Sequence, residues 1–206
     1  MRIVVFGATG RVGRSFTTKA AAAGHEVLAF VRTPDATGGE GIRQFQGDVR
    51  DRDAVRTVLS HECDAVVCCI GEAGLKPSTI VTDAFTSIVD AMTALNLKRF
   101  LAVSGSAEMN QMTVGGKIYT AILKRTPVGH AIRDHDGGLK VVQQSSLQWT
   151  LAGCNYLSDG PERGRYKTSL VFPGGFKKIH PADVAAFLLK ETEVPTFRNE
   201  VVGIWY

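Results

Sequence analysis

The stretch GATGRVG at 7–13 sets glycines three apart, at Gly7, Gly10 and Gly13. Glycine costs backbone entropy on folding, so geometry must require three of them. The stretch follows a short apolar run, RIVVF at 2–6, and opens a helical pattern. In that context G-x-x-G-x-x-G has a mechanism. Gly7 permits a tight turn, Gly10 lets backbone approach a pyrophosphate, and Gly13 lets the helix pack closely on the strand. Thr9, Arg11 and Val12 complete the loop and the first helical turn, whose open N–H groups attract phosphate.

The ends of the next strands refine that chemistry. The second strand ends FVR, so Arg32 stands where an NAD site usually places an acid for the ribose hydroxyls. A guanidinium suits a 2′-phosphate, which points to NADP(H), and Arg11 can add to it. Asp48 and Val49 follow the third strand. Asp48 either accepts from the adenine amino group or caps the helix that follows. Ile70 and Gly71 end the fourth strand, where a small residue lets a dinucleotide pass. Ser104 ends the fifth strand, placed to hydrogen-bond the nicotinamide end or a substrate.

These residues need a scaffold that gathers strand ends. Strand-like runs at 2–6, 25–31, 42–46, 64–70, 99–104 and 147–152 alternate with helical patterns at 11–23, 51–60, 77–95 and 132–146. Short strands around 165–172 and 176–179, a helix at 182–192 and a strand near 200–205 complete the chain. Nearly all-apolar strands alternating with helices predict an α/β fold, a Rossmann-type doubly wound parallel sheet covered on both faces. At 206 residues the expectation is a single domain over 1–206, with 105–131 as a substrate lid beyond the fifth strand.

Composition narrows the class. Hydrophobic residues make up 44% and charged residues 21%, with no apolar run of membrane-spanning length and no secretory apolar core. The expected location is cytoplasmic. The four cysteines show no metal-ligand spacing and read as free thiols; no metal is expected. The formal charge is +4, but residues 98–133 hold six basic residues against one acid, Glu108. That segment predicts attraction for an anionic acceptor, without any nucleic-acid motif.

GATGRVG, FVR, GDV at 47–49 and DAVVCCIG at 64–71 resemble the small NAD(P)H-binding flavin reductases, the biliverdin-IXβ reductase-like relatives of the short-chain dehydrogenases. DHDGGLKVVQQSSLQWT at 134–150 resembles the family's helix and following strand. GRYKTSL with KKIHPADVAAFLL resembles its terminal hairpin and helix. The resemblance implies NADPH and hydride transfer to flavins, linear tetrapyrroles or similar small conjugated acceptors. The expected assembly is a monomer or small homo-oligomer, and quinones also fit as acceptors, since they need no phenolic acid.

Two departures stand out. The family usually has two hydroxyl residues after the fifth strand. Here Ser104 matches the first, Gly105 replaces the second, and Ser106 is a candidate substitute. An Arg-Pro-Gly-like stretch at the end of the sixth strand is replaced by Ala152-Gly153-Cys154. Carbonyl-reducing relatives also use a Tyr-x-x-x-Lys pair, the phenol giving the proton as hydride arrives. Lys140 is the candidate lysine, able to bond the nicotinamide ribose, but Asp136 stands where the tyrosine would be. Acceptors that do not need a phenolic acid therefore fit better than simple ketones. A nucleotide-dependent epimerase or isomerase and a non-catalytic NADP-binding redox sensor are the competing readings.

Overall fold

The computed structural model describes residues 1–34, 38–71 and 76–206. The strands β1 (Arg2–Phe6), β2 (Glu26–Val31), β3 (Ile42–Gln46), β4 (Ala65–Cys68) and β5 (Arg99–Gly105) alternate with helices α1 (Arg11–Ala22), α2 (Arg52–Leu59) and α3 (Ile80–Ala94). Every residue of β4 and nearly every residue of β1 and β2 is buried. Such strands are stable only with both faces covered. The chain continues through β6 (Gln111–Met112), α4 (Val114–Leu123), α5 (Gly129–Gln143), β7 (Gln148–Cys154), β8 (Tyr156–Leu157), β9 (Lys167–Ser169), β10 (Val171–Phe172), β11 (Lys178–Ile179), α6 (Pro181–Glu193) and β12 (Glu200–Trp205).

Eight strands form one sheet of order β3-β2-β1-β4-β5-β7-β12-β9. All its pairings are parallel except that of β9 with β12. α1 and α6 pack on one face over Ile3, Val5, Leu101 and Val202. α2, α3 and α5 pack on the other over Val4, Phe6, Val66 and Phe100. The expected doubly wound Rossmann-type sheet is observed. Its order reverses between β1 and β4, which opens a crevice at their carboxyl ends. No helix among the described residues is long and apolar enough to cross a membrane.

Three local expectations are corrected. α3 begins at Ile80 rather than Pro77, because buried Asp134 of α5 accepts from the Val81 and Thr82 N–H groups at 3.0 and 2.9 Å and caps the helix there. The segment 105–131, for which the sequence pattern predicts no regular element, contains a 3₁₀ turn at Ser106–Glu108 and α4. The short tail strands do not form a hairpin with one another. β10 pairs with β6 and β11 with β8, both in parallel.

Candidate functional site

The β1–α1 turn is built as the glycine spacing requires. Gly7 adopts φ +74°, and a Cβ there would press to 2.8 Å from the Cys69 carbonyl carbon. Gly10 donates its N–H to the Gly7 carbonyl at 3.0 Å and takes the N-cap position of α1. A Cβ on Gly13 would collide with the Gly7 carbonyl. The first intrahelical bond runs from the Arg14 N–H to the Gly10 carbonyl, so the N–H groups of Arg11, Val12 and Gly13 belong to the open first turn. That turn holds no acidic residue.

A cleft of about 800 Å³ lies beside this turn, lined by Gly7, Thr9, Gly10, Arg32, Asp48, Val49, Ile70 and Gly71 among others. Eight of the twelve expected cofactor contacts thus line one groove, while Arg11, Val12, Gly13 and Ser104 are not among its lining residues. A Cβ added to Gly71 would meet no described residue within 4 Å, leaving room among them for a ligand to cross. Arg50 and Lys76 also line the groove, two cations beside Arg32 that the motif reading did not single out. Arg50 is held by Asp83 of α3 at 2.9 Å. Among the described residues the Arg32 guanidinium makes no ion pair. A dinucleotide fits this donor set: open amides for the pyrophosphate, cations for phosphate, a glycine where the chain must be passed.

Asp48 does not cap α2. Asp51 does, accepting from the Asp53 and Ala54 N–H groups at 3.0 and 3.1 Å, while Asp48 accepts from the Arg50 N–H at 2.9 Å. Arg11 turns away from the role of second phosphate ligand. Its guanidinium bonds Asp159 at 3.0 Å and the Leu157 carbonyl at 2.8 Å, tying α1 to the loop after β8.

The catalytic candidates separate. Two residues past the Cys68–Ala102 pairing, the chain reaches Ile70 on one strand end and Ser104 on the next. Ser104 is buried, with its Oγ 3.5 Å from Glu108 Oε2. Ser106 is buried and engaged, its Oγ accepting from Asn155 Nδ2 at 3.2 Å. Lys140 is exposed in the last turn of α5. Because α5 leads into β7, which runs parallel to β5, that turn lies at the sheet edge opposite Ser104. Lys140 is therefore not beside the site.

The basic segment 98–133 is also not one patch. Arg99 starts β5 at the far edge and is buried against Glu191, and Lys124 pairs with Asp136 at 3.0 Å. Lys98, Lys117, Arg125 and Arg133 remain exposed. Met109 is buried against Gly203, filling core rather than presenting a face to a ligand. His135 has a buried Nδ1 with no partner among the described residues, and burial lowers its pKa.

Glu108 is the residue the motif reading missed. Its carboxyl is buried in the 3₁₀ turn beside Ser104, and Oε1 has no hydrogen-bond partner among the described residues. A Cβ at Gly105 would collide with this carboxyl, so the glycine in place of the family's second hydroxyl clears the space Glu108 fills. Burial, and secondarily Asp136, pushes the Glu108 carboxyl up to about 8. A carboxyl that is neutral when folded but ionised when unfolded binds more protons in the native state. Stability then falls as pH rises from the unfolded value near 4.5 and levels off above 8. Glu108→Gln should remove that decline. Thermal melts at pH 5 and 8.5 should show the variant gaining on wild type by about 5 °C or more at the higher pH, a few kcal/mol for a chain this size. Equal pH dependence would mean Glu108 is ionised when buried.

Among solved structures, the chain is similar to ChuY, an anaerobilin reductase from Escherichia coli O157:H7, with a TM-score of 0.82, 20% identity, and coverage of 100% of this chain and 97% of that one. It is similar to a wide-type short-chain dehydrogenase/reductase from Veillonella parvula, solved with NADP, with a TM-score of 0.79, 15% identity, and coverage of 100% and 94%. At these identities the likeness shows the fold. In sequence it is 25% identical over 211 residues to dTDP-4-dehydrorhamnose reductase from Mycolicibacterium smegmatis, covering 98% of this chain but only 58% of that relative's length. A family model described as NAD(P)H-binding matches residues 7–195, taking in the glycine turn, the cleft and the Ser104 strand end, and the chain belongs to that NAD(P)H-binding family.

Proposed function

We propose that this protein is an NADPH-dependent oxidoreductase that passes hydride to a flavin-like, quinone or linear tetrapyrrole acceptor. The carrying observation is a complete dinucleotide cradle without a phenol on the helix that faces Ser104. α5 reads GHAIRDHDGGLKVVQ and holds no tyrosine, and its lysine sits at the wrong end. Carbonyl reduction and nucleotide-assisted epimerisation on this scaffold lean on that phenol. A flavin or quinone, whose reduced form is a stabilised, delocalised anion, does not, and a linear tetrapyrrole can take its proton from a donor other than a phenol. ChuY's activity on a tetrapyrrole supports the same class.

When bound, NADPH supplies the hydride. The chain's part is to hold and orient. The α1 N-terminus and the glycine turn would hold the pyrophosphate, and Arg32 and Lys76, which line the cleft, would take the 2′-phosphate. The groove past Ile70 and Gly71 would lead the reactive end toward the neighbouring strand end that carries Ser104.

NADPH oxidation should be followed at 340 nm with FMN, a benzoquinone and biliverdin as separate acceptors. Saturable turnover with at least one, and deuterium transfer from one face of labelled NADPH, is the expected result. Tight NADPH binding without turnover on any of the three would instead favour a binding module, and the reductase reading would fall.

A further inference from the structure

We propose that Glu108 holds the proton that must accompany the hydride, and delivers it through Ser104 to acceptors that need one. This rests on the reductase reading above and adds a further catalytic group to it.

Three features of the site carry the inference. Glu108 Oε1 is buried with no hydrogen-bond partner among the described residues, an arrangement costly for a carboxylate and far less so for a carboxylic acid. Its Oε2 lies 3.5 Å from Ser104 Oγ, a loose contact of the kind that tightens when ligand binds. Gly105 is the residue that makes room, since any side chain there would strike the carboxyl. The acid is thus built in at the strand end level with Ile70 of the cleft wall.

The protonation state of Glu108 sets the direction of the Ser104 hydroxyl. A neutral Glu108 donates its O–H to Ser104 Oγ, which frees the serine hydrogen to point toward the acceptor. An ionised Glu108 takes the serine hydrogen for itself, and the outward donor is lost. In the productive step the acceptor gains hydride at one atom and the Ser104 proton at a nitrogen or oxygen. Ser104 regains a proton from Glu108, and water restores Glu108 afterwards. The acceptor is reduced by two electrons and NADPH is oxidised to NADP⁺.

The surroundings keep the acid neutral near pH 7. From α5, Asp136 raises the carboxyl and His135 is held neutral by burial. From the end of α4, Lys124 lowers it, although Asp136 already pairs with that lysine. β7 offers Cys154 opposite Gly105, a buried thiol pushed up to about 12, and the nearby end of β12 (Gly203–Trp205) carries no charge.

Acceptor chemistry gives the test. Reduced FMN is stable as an anion near neutral pH, so its hydride step requires no enzyme acid. A linear tetrapyrrole such as biliverdin must take a proton on nitrogen. kcat for both acceptors should be measured for wild type, Glu108→Gln and Ser104→Ala, with NADPH affinity and circular dichroism as controls. The biliverdin-to-FMN ratio of kcat should fall about a hundredfold in either variant, the usual size of a general-acid contribution. Wild-type kcat for biliverdin should decline as pH rises through about 8, the value to which Glu108 is pushed. In Glu108→Gln that decline should vanish. If both acceptors lose equally, or the decline survives in Glu108→Gln, the relay is wrong while the reductase reading stands. If wild type turns over none of FMN, biliverdin and a benzoquinone, the reductase reading itself fails and takes the relay with it; turnover of the quinone alone leaves that reading standing and overturns the relay. Should Glu108→Gln not fold, Ser104→Ala breaks the same relay and decides by the same ratio.

Discussion

Gly10→Val should fold and yet lose NADPH affinity by on the order of a thousandfold. Gly10 lines the cleft, and its Cβ would stand 3.2 Å from the Gly7 carbonyl oxygen and 3.9 Å from that of Cys69. The turn can give by a few tenths of an ångström, but the two methyl groups of valine must then enter the groove. They would take the space where a pyrophosphate meets the open amides of α1. Losing two or three charge-assisted hydrogen bonds, each about 1.5–3 kcal/mol, corresponds to roughly three orders of magnitude in affinity. Gly13→Val is the control with the opposite signature. Its side chain would collide with backbone at Gly7, inside the packing between α1 and β1. Overpacking of that kind costs about 1–3 kcal/mol or more, so this variant should lose melting temperature as well as affinity. Titration calorimetry with circular dichroism separates the two. A folded Gly10→Val protein binding NADPH at wild-type strength would reduce the motif to a tight turn.

The cradle was legible because its signals are local. Glycine spacing, a strand before it and a helix after it all sit within fifteen residues, and the observed φ of +74° at Gly7 is what that spacing implies. The sheet was legible for a similar reason, since strands buried on both faces must be nearly all apolar. What escaped was set by contacts across long sequence distances. Glu108 looked like one acid in a basic stretch, because burial is not a local property. Its trace was indirect, the glycine at 105 where a hydroxyl was expected. The cap that Asp134 places on α3 joins residues more than fifty positions apart, so no local pattern announced it. α4 was obscured by Gly115 and Gly116, and the second of these is demanded by the Phe172 carbonyl of β10, over fifty residues away. Lys140 is a different case. Parallel connection from α5 to β7 already requires the last turn of α5 to lie at the far edge, so topology alone could have removed it from the site.

Wild-type protein should bind NADPH about tenfold to a hundredfold more tightly than NADH, and Arg32→Ala should erase the difference by weakening NADPH alone. The two nucleotides differ only in the 2′-phosphate, so the preference isolates whatever contacts that group. Arg32 follows directly on β2, where its backbone is fixed by a hydrogen bond from Gln46 Nε2 to its carbonyl at 3.3 Å. Its side chain lines the cleft with no ion pair to break among the described residues. Arg50 is less available, because Asp83 holds it and the Thr79 hydroxyl braces that carboxylate at 3.0 Å. A charge-assisted contact to phosphate is worth roughly 1.5–3 kcal/mol, which sets the range. Arg32 is exposed, so screening favours the lower end, and the preference should shrink as salt rises past 0.1 M, where the Debye length is about 10 Å. Dissociation constants for both nucleotides in wild type, Arg32→Ala and Lys76→Ala distribute the effect. A larger loss of preference in Lys76→Ala would move the phosphate site to the start of α3. Equal affinities for NADPH and NADH in the wild type would mean that neither cation reads the 2′-phosphate.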